Sequence, residues 1–121
     1  PEAYHMICLH HPPTPIGSRW LDEMALQNPE ELFGLLDSYP SARCVLSGHV
    51  HQSHESRRGA VKLFTSPSTC IQFKPGRDDF AVDVRTPGYR WLQLNNDGSI
   101  ESGLERLQEL PADIDIAASG Y

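Results

Sequence analysis

A chain of 121 residues, 39% hydrophobic and 21% charged, has the size and texture of one soluble globular core and not of a disordered segment. Its formal charge of -6 argues against a surface built to neutralise nucleic-acid phosphates, so no nucleic-acid partner is expected. Its apolar runs are only a few residues long, which excludes a membrane-spanning helix, and no basic-then-apolar leader pattern opens the chain; a cytoplasmic location without a membrane partner is the expectation.

Tyr4 to Leu9 is a short, mostly apolar run without strict alternation, the pattern of a strand covered on both faces. The chain enters this strand almost at once from Pro1, with no initiator methionine, so either its N-terminus was processed or it is a piece of something longer. Prolines 12 and 13 end the strand, and a short helical turn is predicted around Trp20 to Leu26. A clearer helix starts at Asn28 as N-cap, with Pro29 at its first position and Glu31 completing a capping box. Leu32, Leu35, Leu36 and Tyr39 recur at helical spacing as one apolar stripe, and Pro40 stops the helix.

Arg43 to Ser47 is a second buried-type strand, so residues 4–47 read as a βαβ unit with two parallel strands. Beyond His54 the texture changes to strand-sized runs at Val61 to Thr65, Cys70 to Phe73, Phe80 to Val84 and Tyr89 to Leu94. Asn95-Asn96-Asp97-Gly98 is a turn signal that pairs Tyr89 to Leu94 with the segment from Ser99 as a hairpin. The fold class is therefore α/β, a βαβ unit followed by mostly antiparallel strands. Residues from Glu109 onward lack an apolar period and read as a tail. Cys8, Cys44 and Cys70 are widely spaced and odd in number, which suits buried, reduced structural thiols better than a disulfide framework or a thiolate zinc site.

Two segments could carry chemistry, and each has a plain reading beside the functional one. His10-His11-Pro12 could be polar punctuation at a strand end or an imidazole ligand for a borderline divalent metal, its backbone fixed by Pro12. Gly48-His49-Val50-His51 could be an exposed loop, or a turn in which Gly48 allows close backbone approach and both histidines project to one side of an extended segment. His5 and His54 lack such context and are assigned to surface or packing roles. If the two strands are parallel neighbours, His10, His49 and His51 emerge at the same sheet edge, where ligands gather in open α/β sheets. No carboxylate accompanies them: Asp22 and Glu23 fall in a predicted helix and Glu55 lies past the turn. A hydrolytic two-metal centre normally needs such groups, so the site is incomplete on this chain.

A strand leading to His-x-Pro, a helix, and a strand leading to Gly-His-x-His resembles the C-terminal portion of the calcineurin-like metallophosphoesterases, whose fold is an αββα sandwich. Leu9-His10-His11-Pro12-Pro13, Ser47-Gly48-His49-Val50-His51-Gln52, the run from Ser66 to Pro75 and Pro87-Gly88-Tyr89-Arg90 resemble the bacterial 3′,5′-cyclic AMP phosphodiesterase branch, over nearly the whole chain to about Leu107. The resemblance implies a domain portion over residues 1–107 with a tail over 108–121, and hydrolysis of 3′,5′-cyclic AMP to 5′-AMP with two divalent metal ions, iron or manganese. His10 and His49 would bind one metal and His51 the other, with His11 a neighbour that shapes the pocket. The family's remaining ligands lie in Asp-x-His, Gly-Asp and Gly-Asn-His motifs that this sequence lacks, so the chain alone is expected to be inactive. Another phosphodiester as substrate, or a non-catalytic unit that self-associates through an exposed sheet edge, are the alternatives. In residues 66–75, Cys70, Ile71 and Phe73 are expected to pack with Lys74 exposed; the other reading puts Ser66, Thr69 or Lys74 on the nucleotide side of the pocket.

Overall fold

In the computed structural model, which describes residues 3–120, strand β1 (His5–Leu9) is joined to β2 (Ala42–Ser47) through α1 (Arg19–Asp22) and α2 (Pro29–Asp37). The two strands are parallel, as the βαβ reading requires, with Leu9 opposite Ser47 at their carboxyl ends. Next come β3 (His54–Arg58) and β4 (Val61–Thr65), an antiparallel pair, and β4 also lies parallel to β2. The sheet order is β1-β2-β4-β3. A small antiparallel pair, β5 (Gln72–Phe73) and β6 (Val82–Asp83), follows, and then the hairpin of β7 (Gly88–Leu94) and β8 (Ile100–Arg106). The turn is built as its residues demand: Gly98 takes φ +81, and Asp97 Oδ1 accepts the Ser99 amide at 2.8 Å.

Side-chain alternation on β2 and β4 feeds two cores. Val45 and Leu63 face α2, packing with Phe33, Leu36, Ala42 and Val61. Cys44 and Phe64 face the opposite way and pack with Ile100 of the hairpin, flanked by Leu46 and Leu92. The layers are thus helix, mixed sheet, hairpin. Strand β1 differs from its expectation. It lies at the sheet edge, and only Ile7 and Leu9 pack against the α2 core, while Met6 and Cys8 are exposed because the hairpin core is built on β2 and β4. Strand β3 was not foreseen. Its His-Glu-Ser-Arg-Arg sequence has no apolar signal, and it occupies the other sheet edge, where charged residues guard against pairing with foreign strands.

Helix α2 starts with Pro29 as expected, but Asn28 makes no side-chain cap; its amide instead donates to Glu31 Oε2 at 3.4 Å. The buried stripe is Phe33 and Leu36 with Leu32 at its margin, each full burial contributing about 1.5–3 kcal/mol, whereas Leu35 and Tyr39 point to solvent. The strands expected over Cys70 to Phe73 and Phe80 to Val84 shrink to the two-residue pairs above.

Of the cysteines only Cys44 is buried; Cys8 and Cys70 are exposed, the first because β1 is an edge strand and the second because it sits on a bend. Burial, with Cys8 nearby, pushes the Cys44 thiol up to about 11, so it stays protonated and unreactive. Titration with a water-soluble thiol reagent is expected to modify Cys8 and Cys70 in the native chain and to reach Cys44 only after denaturant is added.

Candidate metal centre

The carboxyl ends of β1 and β2 carry the two histidine segments to one place. The sheet ladder extends one step past both strands through the Gly48 amide, which donates to the His10 carbonyl at 3.0 Å. Gly48 itself is not forced: a Cβ there would meet His10 atoms only at 3.9 and 4.0 Å, an ordinary contact. The backbone special to this loop lies instead on the histidines. His49 has φ 66 and is bracketed by a Val50 amide to Gly48 carbonyl bond of 2.7 Å, the i to i+2 closure of a γ-turn. His51 has φ 49. Two side-chain-bearing residues in the left-handed region cost about 1–3 kcal/mol each, a strain that concentrates where a side chain must be aimed. The expected extended segment with both imidazoles on one side is therefore replaced by a tight turn that aims each ring separately, with fully buried Val50 anchoring it between them.

His49 turns toward the His-His-Pro segment. Its ring centroid lies 4.2 Å from His11 and 5.2 Å from His10, and His10 and His11 are 5.1 Å apart. One nitrogen from each of these three imidazoles falls within 4.8 Å of the others. His51 takes a different neighbour, stacking on Phe73 at 4.1 Å with the rings 5° from parallel. Among the described residues the structure thus gathers His10 and His49 as the sequence suggested, adds His11, and leaves His51 outside that tight group. His11 was legible only as the residue beside a candidate ligand, because what orients it, the Met24 carbonyl 2.6 Å from its Nδ1, lies in the turn after α1.

The ring nitrogens fit a metal. His49 Nε2 and His51 Nδ1 are buried and have no hydrogen-bond partner, a costly state for a polar atom that coordination would relieve. Burial lowers the pKa of His49, and the neighbouring His11, His10 and His51 lower it further. Burial also lowers that of His51, against a backbone hydrogen bond at Ile71 that favours its protonated form. Both rings are held neutral, the form that binds metals. Since their folded values lie below the ordinary 6.5, the unfolded chain binds protons first as pH falls. Stability from this source is complete above about pH 6.5 and is lost as pH drops toward the folded values. Urea midpoints of the metal-free chain should fall across that window, and a His49→Gln, His51→Gln double variant should flatten the dependence.

The carboxylates that the sequence offered are engaged elsewhere. Asp22 accepts the Ile16 and Gly17 amides at 2.7 and 3.0 Å, and Glu55 is paired with Arg90 at 2.7 Å. His5 is exposed, with Nδ1 3.0 Å from Ser41 Oγ, and His54 is a half-buried residue of β3, so both take the surface and packing roles assigned to them. In the 66–75 segment, Phe73 is fully buried and Ile71 packs beside it, with Lys74 exposed as expected, but Cys70 is open to solvent. Buried Gln72 organises the loop, its oxygen accepting the Ser68 amide at 3.2 Å and its Nε2 donating to the Ser68 carbonyl at 2.7 Å.

No family model matches the chain. It is 47% identical over 120 residues to the 3′,5′-cyclic adenosine monophosphate phosphodiesterase CpdA of Pseudomonas aeruginosa, covering 99% of this chain. This chain is related to CpdA along its whole length. CpdA of Escherichia coli K12 is 38% identical over 121 residues, and a 3′,5′-cyclic-nucleotide phosphodiesterase of Nostoc is 41% identical over 120. The chain spans less than half of these relatives, 44% of each CpdA protein and 45% of the Nostoc one. The similarity to CpdA agrees with the branch to which the 66–75 run pointed.

Proposed function

We propose that this chain is the C-terminal part of a metal-dependent phosphodiesterase that hydrolyses 3′,5′-cyclic AMP to 5′-AMP, and that it is inactive by itself. The observation that supports this most is the meeting of His10, His11 and His49 at the carboxyl ends of two parallel strands, with buried, partnerless nitrogens on His49 and His51, in a chain similar to CpdA throughout. His10 and His49 would hold one divalent ion and His51 a second, iron or manganese, in a cytoplasmic enzyme whose domain portion here is residues 1–107, with 108–121 as a tail. Bound ions supply charge neutralisation at the phosphate oxygens. The chain's own task is placement: the γ-turn aims His49, the Phe73 ring fixes the plane of His51, and the Leu21, Val50 and Phe73 cluster keeps water from the rear of the loop. The carboxylate ligands and the acid for the leaving oxygen would come from Asp-x-His, Gly-Asp and Gly-Asn-His segments encoded upstream.

The test compares the 121-residue chain with the longer polypeptide, both supplied with manganese and cyclic AMP. The longer protein should release 5′-AMP and the short chain should not. Turnover by the short chain alone, or a clear preference of the longer protein for another phosphodiester, would overturn the reading. The open β1 edge, with Met6 and Cys8 exposed, favours a second reading in which the isolated chain pairs with a copy of itself. Sedimentation over a dilution series should then show a dimer, and a monomer at every concentration would dismiss it.

A further inference from the structure

We propose that His11 is a metal-binding residue, the third imidazole of a single-ion site made with His10 and His49 that this chain forms without any carboxylate. The inference rests on the metal-site part of the reading above and not on the substrate.

The argument begins with a tautomer. His11 Nδ1 lies 2.6 Å from the Met24 carbonyl oxygen, which can only accept. Neutral His11 therefore carries its proton on Nδ1, and its Nε2 holds the lone pair. A ligating imidazole whose other nitrogen donates to a backbone carbonyl is the usual outer-shell arrangement at metal sites, because it fixes the ring and raises its basicity. The carbonyl is itself held in place. Met24 follows α1 with its amide on the Leu21 carbonyl at 3.0 Å, and Leu26 donates to the Pro12 carbonyl at 3.0 Å, so the segment that orients His11 is tied to α1 at one end and to the His-His-Pro loop at the other.

Position agrees with this tautomer. His11 is the ring nearest His49, 4.2 Å between centroids, and His49 Nε2 is buried with no partner. Nitrogens bound to one ion at about 2.1 Å stand roughly 3–4 Å apart. The three donors here lie within 4.8 Å of one another, so a small rotation of exposed His10 closes the set. Among the described residues these three imidazoles group without a carboxylate: charged, the rings repel, and neutral, they leave His49 Nε2 buried and unpaired. An all-imidazole set suits borderline ions such as zinc, cobalt or nickel. His51, tied to Phe73, takes no part in it.

Cobalt(II) is titrated into the metal-free 121-residue chain and its variants at neutral pH, read by visible absorption and calorimetry. Asparagine is the informative replacement at position 11, because its amide can keep the bond to Met24 while removing the ligand nitrogen. His11→Asn should raise the cobalt dissociation constant by roughly tenfold or more, as His10→Asn and His49→Asn should, and His5→Gln, at an exposed histidine bonded to Ser41, should leave it unchanged. Unchanged affinity in His11→Asn, or equal loss in His5→Gln and His11→Asn, overturns the assignment. Nitrogen-15 spectra of the parent chain during zinc titration need no variant: His11 Nε2 should shift while Nδ1 stays protonated, and a silent His11 overturns the proposal even if the variants fail to fold. A parent chain that binds neither ion also overturns it, and leaves the phosphodiesterase reading to the assay of the longer protein.

Discussion

Phe73→Ala is expected to lower the folding stability of the chain by about 3–5 kcal/mol, near the top of the range for emptying a core position. The ring is fully buried and is the hub of one cluster: Trp20 meets it edge-on at 5.0 Å, Phe80 at 5.4 Å, and His51 lies flat against it at 4.1 Å. The strand that carries it is only Gln72–Phe73, so backbone pairing with β6 can do little to offset the loss. Trp20 fluorescence during urea unfolding follows the transition directly. A loss below about 1 kcal/mol, the typical cost of an average substitution, would show that the cluster repacks and that Phe73 is not its hub. Phe73→Leu should cost less, since it leaves a smaller cavity, but it still removes the flat surface against His51. In that milder variant the His51 ring should show new mobility in proton spectra.

This residue also marks how far the sequence could be read. The parallel β1 and β2 strands and the hairpin were legible because hydrophobic runs, prolines and an Asn-Asn-Asp-Gly turn are local signals. The meeting of His10 with His49 followed from topology alone, since parallel neighbours end at the same edge. What could not be read was set by contacts across long sequence separation. The Met24 carbonyl that orients His11 and the ring that fixes His51 come from other elements. The Gly-His-x-His loop was read as a glycine-enabled extended segment, whereas the left-handed angles fall on His49 and His51, and no pattern of residue types signals that. The covering of β1 on both faces was inferred from its apolar run, yet one of its faces is open in this structure. Leu35 and Tyr39 fit the helical period as well as Leu36 does, but only the side of α2 turned to Val45 and Leu63 is buried.

Arg90→Ala is the second large loss expected, about 2–4 kcal/mol, and its reason differs from that of Phe73. The Arg90 side chain is 1% exposed and ties the hairpin to the mixed sheet. Its Nε donates to the Thr65 carbonyl at 3.0 Å, and its Nη1 donates to Glu55 Oε1 at 2.7 Å and to Ser102 Oγ at 2.8 Å. The guanidinium also lies over the Phe64 ring at 4.7 Å. Truncation would strand the Thr65 carbonyl at the end of β4 and remove the packing of the stem, both buried losses. Glu55 is the test of this account, because its side chain is 59% exposed and returns to water when Arg90 is removed. Glu55→Gln should therefore cost less than about 1 kcal/mol, the usual worth of a pair with one solvated member. If the ion pair were what matters, the two variants would lose similar stability. If the bonds to the Thr65 carbonyl and Ser102 matter, Arg90→Ala alone is severe, and Arg90→Lys, which cannot reach all three acceptors at once, falls between them. Urea unfolding of the three variants separates the cases. Thr65 also accepts the His54 amide through Oγ1 at 2.8 Å and donates to the Gln52 carbonyl at 2.7 Å. Through these bonds the Arg90 strut bears on the segment that leaves the Gly-His-x-His turn, so Arg90→Ala should weaken cobalt binding as well as folding, while Glu55→Gln leaves it unchanged.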